Sequence, residues 1–135
     1  MLKRALTLFA VTLAAVLGAT AVSAPANAAR NGDVYTAQGA TSTGKSFLYR
    51  AGSAHFIAYD EIIQVCDNDA DSAGVILYWS INGYDQSPRY FGGGAGYCGV
   101  WDENILEGAQ IGLRVCIRDN GTVITSTCVR GTAVA

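Results

Sequence analysis

The sequence predicts an all-β fold, a single antiparallel β-sandwich of about six to seven short strands. Three observations favour it. Past residue 30 no segment places apolar residues at helical spacing behind a capping residue. Short runs of β-branched and aromatic residues alternate instead with Gly, Asn and Asp turn signals. The chain has 16 glycines but only 2 prolines, which suits sheets joined by tight turns. A small β-barrel is the main alternative.

Residues 1–28 predict a secretory signal peptide. Lys3 and Arg4 precede an apolar run over 5–22, and Ala26-Asn27-Ala28 matches the A-x-A pattern of signal cleavage. The run is about as long as a membrane span, but its threonines and its small-residue end favour cleavage over anchoring. We therefore expect a secreted, extracellular protein.

The charge balance argues against nucleic acid and membrane partners. The chain has 9 basic and 11 acidic residues, and removal of Lys3 and Arg4 with the signal leaves 7 and 11, a net charge of −4. Nucleic acids and anionic membranes attract clustered Lys and Arg. Lys45 is the only lysine past the signal, so we expect neither partner after cleavage.

The strand candidates follow in order along the chain. Residues 29–44, rich in Gly, Ala, Thr and Ser, predict a flexible N-terminal extension or a strand that needs a partner to order it. Residues 45–135 predict the β-sandwich domain. Its clearest strand is 109–118, where apolar and other residues alternate strictly, as in a strand buried on one face. The strand candidates are 46–50, 54–58, 61–66, 75–81, 109–118 and 122–130.

The four cysteines predict two disulfides, for which three pairings exist. We favour Cys116–Cys128, because these residues flank one predicted hairpin, together with Cys66–Cys98. A two-residue turn at Asn120-Gly121 would place Cys116 opposite Thr125 and Cys128 on the other face of the sheet. The pairing therefore requires a longer loop or a β-bulge.

The aromatic residues around a glycine-rich loop at 92–96 are the best candidates for binding. Tyr and Trp offer a large contact area with few rotatable bonds. The candidates that contact a partner or ligand are Tyr84, Tyr90, Phe91, Tyr97 and Trp101, with Tyr35 in the N-terminal segment.

Two other patterns have simpler explanations than a functional site. Asp67, Asp69 and Asp71 have the alternating spacing of calcium loops, but the glycine and the twelfth-position acid of such loops are absent. We therefore expect a hairpin turn, with no metal and no cofactor. Ser53, His55 and Asp60 contain the residue types of a hydrolytic triad, but no nucleophile motif supports them. We expect no enzymatic activity.

Residues 60–131 contain the VCDNDADSAG turn, a lone cysteine in a glycine-rich loop and the closing GLRVCIRD and CVRG segments. Together with the signal peptide, this arrangement resembles a group of small secreted actinobacterial proteins. The resemblance implies a two-disulfide β-sandwich. Some proteins of this appearance are the adaptor subunit of umbrella toxin particles, linking a lectin-bearing subunit to the large toxin subunit.

The function expected from the sequence is a secreted, non-enzymatic module for protein–protein interaction, with the adaptor of an exported toxin complex as the specific form that the resemblance implies. A carbohydrate- or cell-wall-binding domain that uses the aromatic loop is one alternative. A secreted inhibitor of a hydrolase is another.

Overall fold

The computed structural model describes residues 28–135, and this part of the chain forms strands, turns and loops without a helix. The all-β prediction is confirmed. The predicted signal peptide lies outside the described residues except for Ala28. Eleven strands are present among these residues rather than six or seven, because pairing in the connections and the N-terminal segment adds strands at 32–35, 39–40, 84–85, 89–91 and 97–102. The strands are β1 (Gly32–Tyr35), β2 (Gly39–Ala40), β3 (Ser46–Phe47), β4 (Gly52–Ile57), β5 (Ile62–Asp67), β6 (Gly74–Ile81), β7 (Tyr84–Asp85), β8 (Arg89–Phe91), β9 (Tyr97–Asp102), β10 (Gln110–Asp119) and β11 (Thr122–Val134).

Two antiparallel sheets make up most of the structure. The first has four strands in the order β1-β4-β5-β9. The second has five, in which β11, β10 and β6 lie side by side and both β7 and β8 pair with the free edge of β6. The short strands β2 and β3 pair separately.

One hydrophobic cluster draws side chains from both sheets. The predicted alternation of β10 is confirmed, since Ile111, Leu113 and Val115 are at most 3% exposed. Phe56 and Ile63 of the other sheet are fully buried in the same cluster. Burial of one such side chain stabilises the fold by about 1.5–3 kcal/mol. Below, the outer face of a sheet is the face turned away from this cluster.

The N-terminal segment 29–44 is part of the fold, which corrects the expectation of a flexible extension. Its strand β1 pairs with β4 along its whole length, and Val34 is 3% exposed within the core. Beyond β1, the Thr36 amide donates to the Gly52 carbonyl and the Ala37 amide donates to the Thr127 carbonyl, both at 2.9 Å. The small residues of this segment are suited to close packing rather than to disorder.

A β-bulge in the pairing of β10 with β11 makes the tight turn between them compatible with the disulfide. Asn120 and Gly121 have positive φ angles of 48° and 81°, as a two-residue hairpin turn requires. The register then passes from Ile117 opposite Ile124 to Val115 opposite Val129, so that two steps along β10 match five along β11. The three additional residues on β11 bring Cys128 to the side of Cys116 on β10.

The favoured disulfide pairing is confirmed. Cys66 bonds to Cys98, its direct cross-strand neighbour on β9, and Cys116 bonds to Cys128 across the bulge. Each disulfide therefore joins two neighbouring strands of one sheet, and neither disulfide links one sheet to the other. Burial and a hydrogen-bonded bridge between Arg30 and Val134 hold the two sheets together.

Candidate functional site

The six aromatic residues that the sequence suggested for binding differ in burial and in the strand that carries them. Phe91 and Trp101 are partly buried against the hydrophobic cluster. Tyr35 is held by its neighbours, because the Arg50 guanidinium lies 3.8 Å from its ring centroid and the His55 ring lies edge-on at 5.7 Å. These three rings are committed to packing within the protein.

The other three aromatic candidates are exposed but lie on different strands. Tyr84 of β7 is 78% exposed, Tyr97 of β9 is 68% exposed and Tyr90 of β8 is 46% exposed. Tyr84 and Tyr90 belong to the five-stranded sheet and Tyr97 to the four-stranded sheet. The six residues therefore divide between rings packed within the protein and rings exposed on both sheets.

The acidic turn uses its carboxylates to support its own backbone. Asp67 Oδ1 accepts a hydrogen bond from the Asp69 amide at 3.3 Å, and Asp71 Oδ1 accepts one from the Ala73 amide at 2.8 Å. Burial raises the pKa of Asp67, and the neighbouring charges of Asp71 and Asp69 raise it further. Among residues 28–135 no group of three or more His, Cys, Asp and Glu side chains is arranged to hold a metal ion.

A Ser-His-Asp chain is present, but its carboxylate is Asp33 rather than Asp60. His55 Nδ1 lies 2.7 Å from Asp33 Oδ1 on the adjacent strand, and His55 Nε2 lies 3.0 Å from Ser53 Oγ. This is the hydrogen-bond order of a hydrolytic triad. However, Ser53 is 2% exposed and its Oγ also accepts from Asn68 Nδ2 at 3.1 Å. A nucleophile must come within about 3–3.5 Å of the atom that it attacks, and the burial of Ser53 keeps a substrate from coming so close to its Oγ. The contact between His55 and Asp33 instead links β4 to β1.

The outer face of the five-stranded sheet carries a group of arginines that the sequence reasoning missed. Arg114 and Arg118 point outward from β10, because they alternate with the buried residues of that strand. Arg130 of β11 lies directly opposite Arg114. Arg30 joins them, since its Nη2 donates to Thr132 Oγ1 at 3.1 Å. We call Arg30, Arg114, Arg118 and Arg130 the arginine face.

Within residues 28–135 the arginine face has no acidic partners. The basic side chains of this part of the chain that lie within 4.0 Å of a carboxylate are Lys45, His55 and Arg89. No carboxylate of residues 28–135 lies within 4.0 Å of the arginine face. Arg114 and Arg118 contact aromatic rings instead, with guanidinium-to-centroid distances of 5.6 Å to Tyr78 and 5.0 Å to Tyr90.

A groove of about 620 Å³ runs across this sheet between the arginines and β7. Gly112 lies at its centre, between Thr132 on β11 and Ser80 on β6. Because Gly112 has no side chain, the outward row is interrupted there and leaves room for a ligand. Residues that line the groove include Tyr78, Ser80, Asp85, Gly112, Arg114 and Arg130.

Part of this site was accessible to sequence reasoning. The alternation over 109–118 already implies that Arg114 and Arg118 share the face opposite to Leu113 and Val115. The position of Arg130 was not accessible, because the bulge in β11 changes which of its residues lie opposite β10.

Comparison of the chain with family models, with curated proteins and with solved structures found no match. The candidate site therefore stands on the geometry described above.

Proposed function

We propose that this protein is a secreted, non-enzymatic binding module that acts by protein–protein interaction. Its two sheets are proposed to be the layers of one β-sandwich, with the outer face of the five-stranded sheet as the binding surface. The observation that carries the proposal is the arginine face, four cationic side chains that have no acidic partner among residues 28–135. Two of them, Arg114 and Arg130, line an open groove. Cationic residues at a protein surface steer and orient a partner of opposite charge.

The disulfides support an extracellular location. Both pairs of cysteines are oxidised to disulfides, which form and persist in oxidising compartments. Together with the predicted signal peptide, the disulfides favour secretion. Residues 28–135 contain no helix that is long and apolar enough to cross a membrane.

The resemblance in the sequence makes the binding role more specific. We propose that the protein is a subunit of an exported complex, such as the adaptor of a toxin particle. A carbohydrate-binding domain is less favoured, because Phe91 and Trp101 are partly buried against the hydrophobic cluster. The packed part of each ring is not available for stacking on a sugar.

Affinity purification of the tagged protein from the culture medium of its native host tests this proposal. We expect the protein to elute with one or more larger chains at a fixed ratio, as measured by native mass spectrometry. The same medium passed over the resin without the tagged protein is the control. Elution of the protein as a monomer alone would contradict the proposed function.

A further inference from the structure

We propose that the groove at Gly112 binds an acidic segment of the partner polypeptide, with its carboxylates held by Arg114 and Arg130. This inference rests on the proposed protein-binding function and adds the chemistry of the partner. The bound segment is a polypeptide that carries one or a few Asp or Glu residues.

The first support is the arrangement of the two arginines. Arg114 and Arg130 lie directly opposite each other on neighbouring strands. Like charges in this position destabilise a sheet, and no carboxylate of the described residues lies within 4.0 Å to offset their repulsion. A carboxylate bound between the two guanidinium groups would remove this repulsion and accept hydrogen bonds from both.

The second support is that Arg114 is already held in place. Its guanidinium lies 5.6 Å from the Tyr78 ring centroid, and its Nη2 lies 3.6 Å from Cys128 Sγ. A cation that is held before binding loses less conformational entropy when it binds its ligand. The disulfide therefore helps to position the binding group as well as to stabilise the hairpin.

The third support concerns the size and charge of the ligand. A Cβ atom at position 112 would lie 2.5 Å from Ser80 Oγ, so the space beside Ser80 depends on glycine. Asp85 lines the same groove and repels a second negative charge at that side. The whole chain is acidic, with a pI of about 5.1. Asp85 and the negative charge of the chain both disfavour a densely charged polyanion. An acidic peptide segment can place its few carboxylates beside the arginines alone.

The test is an NMR titration of the isotope-labelled protein with the peptide acetyl-(Glu-Gly)3-amide. We expect the amide signals of Gly112 and Thr132 to shift with binding in the millimolar range and to shift less at high salt. The uncharged peptide acetyl-(Gln-Gly)3-amide should cause no such shifts. Absence of shifts at low salt, or equal shifts with the uncharged peptide, would overturn the proposal.

Three variants separate the site from general charge effects. The double variant Arg114→Gln/Arg130→Gln should weaken binding by about tenfold or more, because two charge-assisted contacts are lost. Gly112→Thr keeps both arginines but fills the groove, and should also weaken binding. Arg50→Gln removes a cation from the turn before β4, where it lies over Tyr35 of the other sheet, and should keep the affinity within about twofold. Thermal unfolding of each variant verifies its fold. Equal weakening in Arg50→Gln would contradict a local site.

Two further arms distinguish the possible failures. Tighter binding of polygalacturonate than of the acidic peptide, lost in the double variant, would overturn the choice of a polypeptide ligand. If the native partner elutes with the double variant as well as with the wild type, the inference about the groove is wrong but the proposed function stands. If no partner elutes even with the wild type, the proposed function itself is wrong.

Discussion

Replacing Thr127 by valine should destabilise the protein strongly although the two side chains have nearly the same shape. Thr127 is fully buried within the bulge of β11. Its Oγ1 accepts a hydrogen bond from the Ile117 amide at 2.9 Å and donates one to the Ile124 carbonyl at 2.6 Å. One hydroxyl therefore satisfies two backbone groups that the bulge has removed from normal pairing.

The magnitude follows from these two contacts. A buried donor or acceptor that loses its partner costs about 1–3 kcal/mol. Thr127→Val leaves two such groups without a partner, so we expect a loss of about 2–6 kcal/mol, a large fraction of the usual 5–15 kcal/mol of a domain. Thr36→Val removes a single bond, from the Gly52 amide at 3.0 Å, and should cost about 1–3 kcal/mol. Thr125→Val, at an exposed position of the same bulge, should stay within about 0.5 kcal/mol of the wild type.

Guanidinium denaturation followed by tryptophan fluorescence measures these differences, since Trp79 is 5% exposed and changes its environment on unfolding. The slope of the transition should remain unchanged, so that the midpoint reports stability alone. The reasoning is refuted if Thr127→Val and Thr125→Val lose the same amount.

Three further predictions follow from the fold and from the polar groups outside the groove. Replacing Cys66 and Cys98, which are 32 residues apart, by alanine should lower the free energy of unfolding by about 4 kcal/mol. Replacing Cys116 and Cys128, which are 12 residues apart, should lower it by about 3 kcal/mol. Chemical denaturation measures both losses, and a greater loss from the shorter loop would contradict an effect of loop length alone. Because burial raises the pKa of Asp67 above the ordinary 3.8, the folded protein retains this proton where the unfolded chain has lost it, and stability falls as pH rises through that window. In Asp67→Asn, thermal stability should therefore depend less on pH above 3.8, and at pH 7 the variant should be at least as stable as the wild type. A variant that is less stable at pH 7 would refute this prediction. A fluorophosphonate probe should leave the buried Ser53 unmodified, and a Ser53 adduct found by peptide mass spectrometry would contradict a non-enzymatic protein.

The sequence determined those features that depend on neighbouring residues. Alternation over 109–118 identified β10 and its buried face, because successive side chains of a strand point to opposite sides. The Asn120-Gly121 dipeptide located the last turn, because both residues tolerate positive φ. The spacing of Cys116 and Cys128 around that turn then limited the hairpin to a longer loop or a bulge.

Only the tertiary structure decided the features that depend on distant residues. It chose the bulge, in which Thr127 bonds Ile117 and Ile124 while its carbonyl accepts from Ala37. It also placed residues 32–40 within the fold. In isolation these small residues have little reason to order, but packing against β4 and β11 gives them buried contacts and backbone partners.

In the candidate site, too, some features follow from the local sequence and others from the tertiary structure. Local alternation assigned Arg114 and Arg118 to one face, but Arg130 and Arg30 reach that face through strand pairing across the chain. The aromatic residues show the converse. They are close in sequence, but Phe91 and Trp101 pack against the core whereas Tyr84 and Tyr97 are exposed on different sheets. Residue type and spacing specify which face a side chain occupies. Long-range register, stabilised by burial of the whole core, decides which residues meet there.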